Sequence, residues 1–128
     1  MQYFFEKVCY NRSMNAVTRE NTCCFTGHRP EKLPWKYDES DPRCILLKEV
    51  IAGVLSALYE SGYRHFLCGA ALGCDMYFGE AVLALREERP DVTLEAAIPF
   101  EGQDRGWSED QRRRYRRLTE SCDKCTVF

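Results

Sequence analysis

The sequence lacks a long apolar run. Phe4 and Phe5 near the amino end are followed directly by Glu6 and Lys7, so the apolar core of a secretion signal is missing there. No stretch reaches the roughly 20 apolar residues that a helix needs to cross a bilayer. We therefore expect a cytoplasmic protein without a membrane partner.

An excess of positive charge is also lacking. Lys and Arg number 18 against 20 Asp and Glu, which gives a formal net charge of −2. Proteins that bind nucleic acid through their overall charge need a basic surface, so any such binding here would have to be local. With 45% hydrophobic and 30% charged residues over 128 positions, the chain is typical of one globular domain.

Few of the cysteines are spaced like metal ligands, although the chain has eight of them. The one close pair is Cys122 and Cys125, and a structural zinc site needs four ligands. Five others lie in or beside apolar or glycine-rich stretches, namely Cys23, Cys24, Cys44, Cys68 and Cys74. Reduced, buried thiols fit this placement better than disulfides, and we predict no metal site.

The pattern divides the chain into two parts. Residues 1–21 are predicted to be an irregular N-terminal extension, and whether Met1 or Met14 is the natural start stays open. Residues 22–128 are predicted to form one domain, in which strands over 23–26, 63–70, 92–98 and 125–128 alternate with helices starting near Asp41, Asp75 and Ser108. This order predicts an α/β, Rossmann-like three-layer fold with a mainly parallel sheet. Such folds usually run to five or six strands, so we expect the later strands to be missing.

Two glycine turns directly follow the first two strands of this domain. The first is Thr26–Pro30, with the sequence TGHRP, and the second is Cys68–Asp75, with the sequence CGAALGCD. Glycine lets a backbone bend sharply and approach a ligand closely, and N–H groups at a helix start attract anions. Because the carboxyl ends of parallel strands meet at one edge, the pair predicts a nucleotide pocket.

Candidate ligand-binding residues come from these turns and from the loop after the third strand. Arg29 offers a permanently charged fork to phosphate oxygens, and Asp75 can accept from ribose hydroxyls or cap the second helix. Trp107 can stack on a base or anchor the third helix. The predicted set is Thr26, Gly27, His28, Arg29, Gly69, Ala70, Gly73, Asp75, Gln103 and Trp107.

Catalytic residues are not predicted. His28 has no serine, cysteine or carboxylate at a telling spacing, and a nucleophilic thiol at Cys68 or Cys74 would need a base or a strongly lowered pKa. The sequence therefore favours a binding module over an enzyme.

These motifs resemble those of the SLOG superfamily, and within it the YpsA-like proteins. The resemblance covers residues 22–128 and includes Pro99 and Phe100 followed by Gln103 and Trp107 after the third strand. It implies a Rossmann-like pocket for a nucleotide-derived ligand, such as ADP-ribose or an NAD-like molecule, and no certain cofactor. SLOG proteins carry a further Gly-Gly-Thr type motif after a later strand, and this sequence has no counterpart.

Two other functions stay open at this point. A phosphoribohydrolase of the Lonely-guy kind would need the glutamate of that family's Pro-Gly-Gly-x-Gly-Thr-x-x-Glu motif, which is absent here. Single-stranded DNA binding of the DprA kind is supported by one arginine-rich helix over 112–117. Acidic residues beside this helix reduce its positive electrostatic field. An exposed sheet edge also predicts self-association into a homo-oligomer.

Overall fold

Strands and helices alternate along most of the chain. The computed structural model describes the backbone of residues 5–9, 13–14 and 17–128, and side chains from residue 20 onward. The strands are β1 (Phe5–Cys9), β2 (Ser13–Met14), β3 (Val17–Thr18), β4 (Thr22–Gly27), β5 (His65–Cys68), β6 (Thr93–Ile98) and β7 (Lys124–Val127). The helices are α1 (Pro42–Glu60), α2 (Cys74–Glu88) and α3 (Glu109–Ser121), with short 3₁₀ turns at Arg19–Asn21 and Pro30–Lys32.

The main sheet has the order β1-β4-β5-β6-β7. Strands β4 to β7 are all parallel, which confirms the predicted α/β, Rossmann-like class. Strand β1 pairs antiparallel with β4, and it lies within the segment that the sequence predicts to be irregular. Backbone N–H and C=O groups make this pairing, so it requires no apolar pattern in the sequence.

All three helices pack against one face of the sheet. Helix α2 contacts α1 and α3, and it also contacts β4, β5 and β6. Right-handed crossovers between strands laid down in consecutive order put successive helices on the same side. Phe78 of α2 stacks on Phe25 with ring centroids 4.6 Å apart and meets the edge of Phe66 at 6.3 Å. These helices supply one helical layer of a Rossmann-like fold.

Local signals correctly predict both ends of α1 and the start of α3. Asp41 Oδ1 accepts from the Arg43 N–H at 2.9 Å at the start of α1, and Gly62 follows its end with a φ of +103°. Ser108 and Gln111 form the predicted capping box at α3. Among the described helices, none is long and apolar enough to cross a membrane.

The opposite face of the sheet carries a buried polar pair that the sequence analysis misses. His65 Nε2 lies 3.1 Å from Glu95 Oε1, and His65 Nδ1 lies 2.6 Å from Thr93 Oγ1. Side chains alternate along a strand, so this cluster points away from the helix-facing Phe66 and Leu94. His65 and Glu95 are only 5% and 3% exposed.

Candidate functional site

The two glycine turns lie in direct contact, and we call the surface formed by residues 27–30 and 69–75 the turn junction. The Cys74 N–H donates to the His28 carbonyl at 3.1 Å. Gly73 has a φ of +92°, and a Cβ there would lie 2.7 Å from the His28 oxygen and 3.0 Å from Pro30 Cδ. A side chain at this position would push the turns apart.

Gly27 completes the contact from the other side. A Cβ on Gly27 would lie 2.8 Å from Cys74 Cβ and 2.9 Å from Phe25 Cζ. Two glycines, one from each turn, therefore let the chain segments after β4 and β5 approach within van der Waals distance. The structure brings together the two motifs that the sequence predicts to share one edge.

The start of α2 is largely occupied by protein acceptors. The Cys74 N–H is bonded to His28, and the Met76 and Tyr77 N–H groups both donate to the Gly73 carbonyl. Donors for a ligand must therefore come from the turn that precedes the helix. Ala70 has a left-handed φ of +57°, as Gly73 does at +92°, and such turns can gather backbone N–H groups into an anion-binding concavity. Within residues 20–128, the Leu72 and Gly73 N–H groups have no hydrogen-bond acceptor.

Asp75 lies in the first turn of α2, where Gly73 is the N-cap residue, so Asp75 does not cap this helix. Its Oδ2 accepts from the Ala71 N–H at 3.4 Å and would lie 2.9 Å from a Cβ on Gly69. The carboxylate braces the second turn from inside, and glycine at position 69 leaves room for it.

The loop after β6 reaches back to the second turn. Gln103 is 6% exposed, and its Nε2 donates to the Gly69 carbonyl at 3.0 Å. Burial raises the pKa of the Tyr115 phenol, and the nearby Gln103 side chain partly offsets that rise. Trp107 meets the edge of the Tyr115 ring with centroids 5.3 Å apart. Gln103 therefore lies at the turn junction, whereas Trp107 anchors α3.

Arg29 and the arginines of α3 have different surroundings. Arg29 is exposed, and its guanidinium has no hydrogen-bond or ion-pair partner within residues 20–128. Arg112, Arg113 and Arg114 are all ion-paired with carboxylates. Arg114 is held by both Glu39 and Glu80 at 2.6–3.0 Å. Carboxylates thus neutralise much of the basic helix, which weakens its case as a DNA-binding surface.

A cavity of about 160 Å³ opens beside the turn junction. Its walls include Pro30, Tyr37, Leu72, Gly73, Tyr77 and Arg114. The Trp35 indole N–H donates to the Tyr77 hydroxyl at 3.2 Å, and burial raises the pKa of Tyr77. A cavity of about 150 Å³ admits a benzene ring, so this one has room for a single aromatic ring. Of the lining residues, Gly73 alone is predicted from the sequence to bind a ligand.

Two of the described thiols lie in surroundings that oppose nucleophilic chemistry. Burial strongly raises the pKa of the Cys68 thiol and raises that of Cys122 to about 11, whereas a nucleophilic thiol needs a lowered pKa. Residues 20–128 contain no group of three or more His, Cys, Asp or Glu side chains that could hold a metal ion.

The parallel sheet, its crossover helices and the paired glycine turns define a Rossmann-like domain. The chain belongs to the YspA SLOG family, whose model, named YpsA, matches residues 23–128. It is 31% identical over 99 residues to UPF0398 proteins of Bacillus thuringiensis (strain Al Hakam), Bacillus cereus (strain Q1) and Bacillus anthracis (strain A0248). Each match covers 77% of this chain and 53% of the relative, so the chain spans about half the length of these relatives.

Proposed function

We propose that the turn junction binds the phosphate groups of a nucleotide-derived ligand, such as AMP, ADP-ribose or an NAD-like molecule. The observation that carries this proposal is the contact of Gly73 with the His28 carbonyl, because it joins both predicted turns into one surface. In this role the chain is a cytoplasmic sensor or binding module rather than an enzyme.

The donors beside the turn junction suit an anion. Arg29 carries a permanent charge and forms no ion pair within residues 20–128, although the Glu31 carboxyl lies near enough to interact with its charge. The Leu72 and Gly73 N–H groups add neutral donors in a left-handed turn. A guanidinium fork together with backbone N–H groups is a common arrangement for phosphate.

The neighbouring cavity can receive one ring of the base of the same ligand. Pro30 and Gly73 belong both to the turn junction and to the cavity wall, so a phosphate and a ring would lie side by side. Leu72 and the tyrosines supply apolar surface, which is typical of ligand pockets.

Thermal-shift measurements test this function. AMP, ADP-ribose, NAD and a short single-stranded DNA are each added to the chain, because a ligand that prefers the folded state raises its melting temperature. The informative variant is Arg29→Ala, and its matched control is Arg117→Ala, which removes another exposed arginine without a described ion pair.

A nucleotide shift that Arg29→Ala abolishes and Arg117→Ala preserves is the expected result. Tyr37→Ala removes part of the cavity wall outside the turn junction, so it should reduce the shift with AMP and leave any shift with inorganic pyrophosphate intact. Equal loss in both arginine variants would indicate general charge attraction. No shift with any nucleotide would contradict binding by this chain.

A further inference from the structure

The outward side of helix α1 exposes more apolar surface than its place in the domain explains. Leu46 is 52% exposed, and Ile45 and Val54, which lie on either flank of its row along the helix, are 47% and 39% exposed. The inward side is fully packed by Cys44, Leu47, Ile51 and Leu55. A helix that is apolar on nearly all sides is usually covered on all sides.

Gly53 lies in the middle of this exposed side. A Cβ on Gly53 would meet nothing within 4 Å, and glycine in a helix interior costs about 1 kcal/mol relative to alanine. Gly79 of α2 offers the contrast, since a Cβ there would lie 2.9 Å from Leu118 of α3. Gly79 allows a neighbouring helix of the same chain to approach, whereas no described neighbour explains Gly53.

The exposed side carries a regular series at alternating spacings of three and four residues, which places its members on one face. We call it the α1 stripe, and it consists of Arg43, Leu46, Val50, Gly53, Ala57 and Glu60. Its middle is apolar, its first member is basic and its last is acidic.

We propose that the α1 stripe binds the stripe of a second copy of this chain, with the two helices antiparallel about a two-fold axis. In that register Arg43 faces Glu60 of the second copy. Leu46 faces the partner's Ala57, and Val50 faces the partner's Gly53. Each large side chain thus meets a small one and each positive charge meets a negative one. The same patch serves on both copies, as two-fold symmetry requires.

The charges at the stripe ends differ in their contacts within the chain. Glu60 has no ion pair within residues 20–128. Arg43 donates two hydrogen bonds to Asp41 at 2.8–3.0 Å, but its side chain is 60% exposed and lies where a second copy can approach it. The stripe is about 26 Å long at 1.5 Å per residue. A single helix pair is a small interface, so we expect weak, concentration-dependent dimers.

Charge reversal tests the proposal by sedimentation equilibrium over a range of concentrations. Arg43→Glu and Glu60→Arg each place like charges at both ends of the pair, so each should raise the dissociation constant at least tenfold, an order-of-magnitude expectation. An equimolar mixture of the two variants should restore dimers, because every end pair is then Arg against Glu. Glu87→Arg is the control, since Glu87 is exposed on α2 outside the stripe.

Several results would overturn the proposal. A wild-type chain that stays monomeric at high concentration would do so, as would single variants that dimerise like the wild type or a mixture that fails to restore dimers. Loss of dimers in the edge-strand variant Thr126→Pro, with the stripe variants unaffected, would assign the contact to β7 instead. Melting temperatures of dilute samples confirm that each variant remains folded.

Discussion

Gly73 in the turn junction and Gly53 in the α1 stripe are both glycines, yet their surroundings differ completely. Gly73 has a positive φ and backbone atoms of the first turn against it, whereas Gly53 has helical backbone and open space. The first is required by contacts within the chain. The second has no such contact among the described residues, and the proposed second copy would supply one. The role of a glycine can therefore be assigned only when the atoms around it are known.

The largest expected effect is at Gly73. Gly73→Ala should lower the free energy of unfolding by about 3 kcal/mol, because it combines backbone strain with a collision against the His28 carbonyl. Urea unfolding measures this change in the free energy of unfolding. Gly62→Ala is the control for strain alone, since Gly62 has a φ of +103° and no atom within 4 Å of a Cβ, and should cost about 1–2 kcal/mol. Equal losses at both positions would mean that the turns do not press together.

Arg114→Met tests how much the ion pairs of α3 with the rest of the domain contribute to stability. It removes the guanidinium that holds Glu39 and Glu80, and we expect a loss of about 2 kcal/mol, reduced from a fully buried pair because these groups are partly exposed. Arg113→Met is the matched control, as its partners Glu109 and Asp110 are 86% and 89% exposed. It should change stability by less than about 0.5 kcal/mol. A similar loss in both variants would contradict a special role for Arg114.

Gly53→Ala tests the α1 stripe, and here we expect the free energy of unfolding to rise instead of fall. In dilute samples, where monomers dominate, it should stabilise the chain by about 1 kcal/mol through helix propensity. At high concentration it should weaken dimers, because the added methyl group faces Val50 of the second copy. Thermal melts at two concentrations separate the effects. Destabilisation of the dilute sample would reveal an internal contact at Gly53.

Leu46→Gln should have the smallest effect on the monomer. Leu46 is 52% exposed, so its replacement should change stability by less than about 0.5 kcal/mol. The same change should raise the dimer dissociation constant about tenfold, since it removes apolar surface that only the second copy covers. Sedimentation measures this, and an unchanged constant would place the contact elsewhere.

Sequence reasoning predicts the local features of this chain well. Asp41 with Pro42, Gly62, and Ser108 with Gln111 mark helix ends correctly because capping depends on residues within one turn. The two glycine turns are also identified correctly, since each follows a strand directly. For Asp75 the sequence leaves ribose binding and helix capping open; in the structure Gly73 is the N-cap residue and Asp75 Oδ2 accepts from the Ala71 N–H.

Features that join distant residues are missed. The ion pairs of Arg114 span 34 and 75 positions, and His65 and Glu95 meet across neighbouring strands 30 positions apart. The cavity forms from three separate segments. Spacing along the sequence carries no signal for such contacts.

The amino-acid sequence by itself determined the alternating elements, the parallel sheet and the family, because hydrophobic period, capping residues and glycine turns act over a few positions. The contacts between remote segments emerge from the tertiary structure: the His28 carbonyl accepts from the start of α2, Glu39 and Glu80 hold Arg114, and no described residue lies against Gly53. Packing between remote segments sets these outcomes, since it depends on which surfaces the folded chain brings within a few ångströms of each other.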